Sequence, residues 1–165
     1  MDRDRRRRSL LARMLKEELR LRKGKKLTYL FLFSWLILYV AYTLLQAYCE
    51  RLAYLPESKS SYLITAFSIL CAWLTLTEGS KVMVILLLAG GAVSVGFGFY
   101  QGLYPLLTLE MPTVFRSYLI CLLAAGWAEL FAAAALLFLP PCAEYLLAVS
   151  RAAESSKEAD EHFHL

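Results

Sequence analysis

Apolar residues in this chain come in four long blocks separated by short polar stretches. The blocks span 27–48, 61–77, 82–103 and 114–139. The first three hold no charge, and the fourth holds only Arg116 and Glu129. A helix needs about 20 apolar residues to cross the roughly 30 Å hydrocarbon layer. Three blocks meet that length, and the second, at 17 residues, is at its short limit. Runs such as Leu30-Phe31-Leu32-Phe33 and Val84-Ile85-Leu86-Leu87-Leu88 do not alternate, as lipid-facing barrel strands must. Helices satisfy their own backbone groups in lipid, so the pattern predicts four of them. Buried helices of a soluble protein are a poorer fit, because too little polar chain remains to cover four such blocks.

The polar stretches have patterns of their own. In 9–22, Leu11, Leu15 and Leu19 recur every fourth residue, with Leu10 and Met14 beside them and Arg13, Lys16, Arg20 and Arg22 on the remaining surface. Ser9 is placed to cap its start. This predicts an interfacial amphipathic helix on anionic lipid. Pro56 interrupts the loop 49–60, and the loop 101–113 has an apolar middle. Pro140-Pro141 ends the fourth block, 143–153 has helix-forming composition, and Glu154, Glu158, Asp160 and Glu161 make the tail acidic. The chain thus divides into a basic arm (1–26), a four-span bundle (27–139) and an acidic tail (140–165).

Charge adds orientation. Of 18 Lys and Arg residues, 12 precede Leu27. With four spans the two ends share a side, and the basic residues divide 15 on that side against 3 (Arg51, Lys59 and Arg116) on the other. The positive-inside bias places both termini in the cytoplasm, or on the matrix side of an organellar membrane. The 26-residue lead-in and the length of the first block favour a retained anchor over a cleaved signal peptide. The surface of the arm that meets lipid is Arg5, Arg6, Arg7, Arg8, Arg13, Lys16 and Arg20. No aromatic residue precedes Tyr29 to stack on bases, so no nucleic-acid partner is expected. The basic arm and the acidic tail share a compartment and can pair.

Small residues and one acid carry what chemistry the blocks contain. Gly90, Ser94, Gly98 and Gly102 recur every fourth residue, and Ala124, Ala128 and Ala132 do the same in the fourth block. Such stripes let helix backbones approach closely. They predict a helix-packing interface, within the chain or with another subunit. Glu129 lies roughly 22 Å from the outer end of its block and about 15 Å from the inner end, near mid-bilayer. A carboxylate at that depth is costly and should face the bundle or a cavity. Ser34, Thr75 and Ser94 fall at similar depths and are the expected hydrogen-bond partners. Glu129 is then a proton or cation site, or a structural polar contact.

Other chemistries lack their residues. The two histidines, His162 and His164, are both in the tail. That excludes transmembrane bis-histidine haem and a His-based triad in the membrane. Cys49, Cys71, Cys121 and Cys142 form no C-x-x-C pair, and no Gly-rich loop with Lys cradles phosphate. No cofactor, metal site or enzymatic activity is expected. The sequence favours a non-catalytic subunit or accessory protein of a larger membrane assembly or homo-oligomer, with other membrane subunits or self as partners. The alternative is a small transporter or channel subunit with Glu129 as its intramembrane ion site.

Overall fold

A computed structural model of the chain describes residues 8–12, 14–15, 18–55, 59–103, 106–107 and 110–161. Among them every regular element is helical. Residues 8–12 and 14–15 are helical, and Glu18 is extended. Five long helices follow: α1 (Leu19–Arg51), α2 (Lys59–Glu78), α3 (Lys81–Gly98), α4 (Thr113–Phe138) and α5 (Pro140–Glu161). A π-helical segment, Phe99–Leu103, extends α3. Three helices, α1, α3 and α4, are long and apolar enough to cross a membrane, and Tyr62–Glu78 within α2 is a shorter apolar helix. Apolar helices of this kind mark a membrane-embedded protein.

The buried positions of α1 show how it is used. Thr28, Leu32, Trp35, Tyr39, Tyr42, Gln46 and Cys49 are spaced alternately four and three apart, a seven-residue repeat. In α4, Tyr118, Leu122, Ala125, Glu129, Ala132 and Leu136 follow the same rule. A 3.5-residue repeat keeps one seam of each helix turned to its partner. The opposite faces carry Leu30, Phe33, Ile37, Val40 and Leu44 on α1, all exposed. In lipid those residues lose nothing by exposure, so shape and close contact hold the bundle together.

Glycines set the closest approach. A Cβ at Gly91 would stand 2.7 Å from the Leu130 backbone nitrogen, so α3 and α4 meet backbone to backbone there. Gly98 meets Leu123 and Leu122, and Gly126 meets Ser94 and Val95. The small residues of α3 and α4 are thus used largely against each other. Ala132 is buried, and Ala124 and Ala128 are half-buried. Gly102 falls in the π-helical segment, and its surroundings lie outside the described side chains. Gly96, on the outer side of α3, meets nothing within 4 Å.

α1 begins well before the apolar block. The sequence pattern assigns Leu19 to Arg22 to the interfacial helix, but the chain turns at Glu18 and runs from Leu19 into the span without a break. Leu21, Gly24 and Thr28 are buried, and Gly24 rests on the Pro141 carbonyl and Tyr145 of α5. Only Leu139, in extended conformation, separates α4 from α5. Pro140 and Pro141 occupy the first turn of α5, where a missing N–H costs nothing. α5 buries Cys142, Tyr145, Leu146, Val149, Ala152 and Ser156, a helical stripe. That stripe also covers the turn between α2 and α3, where Gly79 has φ +65° and rests on Leu146 and Ser150.

At the opposite end, α1 closes with Ala53 in the left-handed region (φ 56°). The Tyr54 N–H reaches the Cys49 carbonyl at 3.0 Å, and the Ala53 N–H reaches Glu50 at 3.1 Å. This pattern satisfies the last carbonyls of the helix. The Tyr62 hydroxyl, at the start of α2, donates to Glu50 at 2.8 Å. α2 therefore touches the C-terminal end of α1 at its own start and α5 at its own end.

Candidate functional site

Glu129 is 2% exposed, on the face of α4 that looks into the bundle. Its place in the seven-residue seam of α4 puts it there. Neither carboxylate oxygen has a hydrogen-bond partner among the described residues. Trp35 of α1 and Ser68 of α2 face it, and the Trp35 indole N–H is likewise buried and unsatisfied. Oε1 lies over Gly90 of α3, where a Cβ would come to 3.2 Å. Tyr39 and Cys71 are the titratable groups near enough to feel its charge. The Tyr39 hydroxyl faces Ser68 and Thr65. Four helices thus converge on one carboxylate, and none supplies a cation. Arg116 is exposed near the start of the same helix.

Next to this cluster is a cavity of about 560 Å³, bordered by Tyr39 and Tyr42 of α1, Thr65 of α2, Gly90 and Ser94 of α3, and Ala125 of α4. It exists because α2 leans on α3 and α5 but barely touches α1. Aromatic rings continue outward from it. Trp35 and Tyr39 are 5.2 Å apart, Tyr39 and Tyr42 5.8 Å, and Tyr42 and Tyr118 5.7 Å. Phe115 stacks on Tyr118 at 5.9 Å and meets Tyr54 at 6.4 Å. At that end Glu50 accepts from Gln46 at 2.9 Å as well as from Tyr62.

The chain matches no protein-family model, no curated protein and no solved structure.

The partners expected for Glu129 from depth alone are placed elsewhere. Ser34 is exposed on the outer face of α1. Thr75 is buried but donates to the Cys71 carbonyl at 2.8 Å. Ser94 borders the cavity and packs on Gly126. Depth gives a residue's level in the bilayer but not the direction it points. Trp35, one residue beyond Ser34, is turned about 100° further round and faces inward. The seven-residue repeat through Thr28, Trp35 and Tyr42 was the available signal for it.

Of the basic residues expected at lipid, Arg8 and Arg20 are exposed, and Arg5, Arg6, Arg7, Arg13 and Lys16 lie outside the described residues. Arg20 approaches Glu144 of α5 at 4.0 Å, an exposed pair that contributes little. Cys142 is fully buried with Thr28 beside it, and burial pushes its thiol up, which leaves it unreactive. Among the described residues no group of three or more His, Cys, Asp or Glu stands together to hold a metal ion.

Proposed function

We propose that this chain is a four-span membrane protein of the transport class, with Glu129 as its intramembrane proton or ion site. The observation that carries the proposal is the carboxylate itself: 2% exposed, inside the chain's own bundle, both oxygens unpartnered. A purely structural acid in lipid would be satisfied by its neighbours or face a second subunit. Glu129 lies inside its own chain's bundle, and the groups that face it, the Trp35 N–H and the Ser68 hydroxyl, stand near the carboxylate without closing a full hydrogen bond and without bringing a charge. A buried group that gives up so much free energy without a partner is what a site that takes up and releases a cation requires.

The four-span arrangement is supported by α2. It meets Glu50 at one end of the bundle and α5 at the other, so its apolar length runs alongside the other three apolar helices. With the basic excess before Leu27, this favours both termini on the cytoplasmic side. Exposed Arg8 and Arg20 are then disposed toward anionic headgroups.

The test is proton movement in proteoliposomes. An imposed pH gradient should be dissipated by the wild-type chain, read by an entrapped dye. Glu129→Gln should abolish the flux while leaving the size-exclusion profile unchanged. Equal flux from the two proteins rules the proposal out.

A second reading, a subunit of a larger membrane assembly, is favoured by Gly96. It lies open on the outer side of α3 beside exposed Val93 and Phe97, where another helix can approach.

A further inference from the structure

The cavity is open on one side only in chemical character: its outer rim is apolar. Ile64 and Phe67 of α2 and Leu86, Val93 and Phe97 of α3 border it, and all five are exposed on the face that meets lipid. Its inner wall differs. There Tyr39 and Tyr42 present aromatic rings, and Glu129 stands just behind the wall at Gly90, its Oε1 3.2 Å from the Cβ position that the glycine leaves empty. A volume of about 560 Å³ is within the range of pockets that hold small organic molecules.

We propose that this cavity binds a lipophilic monocation, which enters sideways from the bilayer between α2 and α3. The proposal rests on the transport reading for its use of Glu129 as the working group. Charge complementarity selects the ligand. The bundle holds one buried carboxylate with no cation facing it, and in a medium that excludes water such a charge is screened weakly. Aromatic faces attract cations in the same place. The apolar rim selects for the rest of the molecule, because a ligand arriving there must already be dissolved in lipid. An acyl chain would satisfy the rim but leave the carboxylate as it is. A hydrated inorganic ion would satisfy the carboxylate but not the rim. An organic cation of small size satisfies both.

The experiment uses the full chain in lipid nanodiscs and radiolabelled benzyltrimethylammonium, which carries a permanent charge. Its uncharged isostere, neopentylbenzene, serves as competitor. Saturable binding is expected, displaced by the unlabelled cation and not by the isostere. Glu129→Gln should weaken it by about ten-fold or more, the loss of one charge-assisted contact. Ala89→Trp narrows the rim without touching the Glu129 cluster and should weaken it similarly. That variant decides the matter if Glu129→Gln does not fold. Displacement by neopentylbenzene as strong as by the cation, or binding indifferent to both substitutions, overturns the proposal and makes the cavity an acyl-chain groove. Absence of saturable binding alongside Glu129-dependent proton flux overturns it too, and leaves the transport reading standing. Glu129-dependent binding without any flux supports the site and overturns the transport reading instead.

Discussion

At the scale of single residues, two glycines five positions apart on α3 have opposite expectations. Gly91 touches the α4 backbone and Gly96 touches nothing. Gly91→Ala forces the two helices apart and is expected to cost about 1–3 kcal/mol, as overpacking does elsewhere. Gly96→Ala gains helix propensity without a clash and should be neutral or stabilising by up to about 1 kcal/mol. Thermal unfolding followed by fluorescence-detected size exclusion separates the two. A Gly96→Leu chain that loses a larger species formed by the wild type would support the subunit reading; identical profiles would count against it. The sequence made Glu129 visible, since one acid in an apolar block is conspicuous. It made Gly91 invisible, because the every-fourth-residue stripe draws the eye to Gly90, Gly98 and Gly102 and past the position where the backbones meet.

At the scale of elements, α5 changes what the C-terminal tail is. Its composition suggests a helix along the membrane, whereas the helix packs on the start of α1 and on the turn between α2 and α3. Its partners, Gly24 and Thr28 near one end of the chain and Gly79 in the middle, are more than sixty residues away and lie outside any local pattern. The start of α1 hid for a related reason: its basic residues read as an arm beside the bilayer, while the strip facing α5 holds Gly24 and Thr28. A chain truncated after Leu139 uncovers that strip and the Gly79 turn. It should be extracted from membranes in lower yield and unfold at lower temperature than the full chain. A truncated chain of unchanged stability would show that α5 rests on the bundle without supporting it.

At the scale of the whole molecule, the block pattern was enough for an all-helical membrane protein, and the charge count proposes an orientation. The cavity was not legible, because it depends on how far α2 stands from α1, and hydropathy says nothing about spacing between helices. Orientation itself is open to direct measurement. Tyr54→Cys places a thiol in the exposed turn that closes α1, and Glu154→Cys places one on the exposed side of α5. In intact cells a membrane-impermeant maleimide should label the first, and label the second only after permeabilisation. Labelling of both from outside would put α5 on the wrong side and undo the four-span arrangement.

The unbroken course of α1 joins these scales. Gly24 beneath α5 and Tyr39 at the cavity wall belong to one continuous helix, about 22 Å apart along its axis. No proline interrupts α1, and its glycine, Gly24, is clamped under Pro141. A helix of that kind turns as a rod. A twist or tilt applied at the α5 end therefore arrives at Tyr39 and Trp35 with little loss, like torque along a shaft. Whatever grips α5 has its hand on the wall of the cavity.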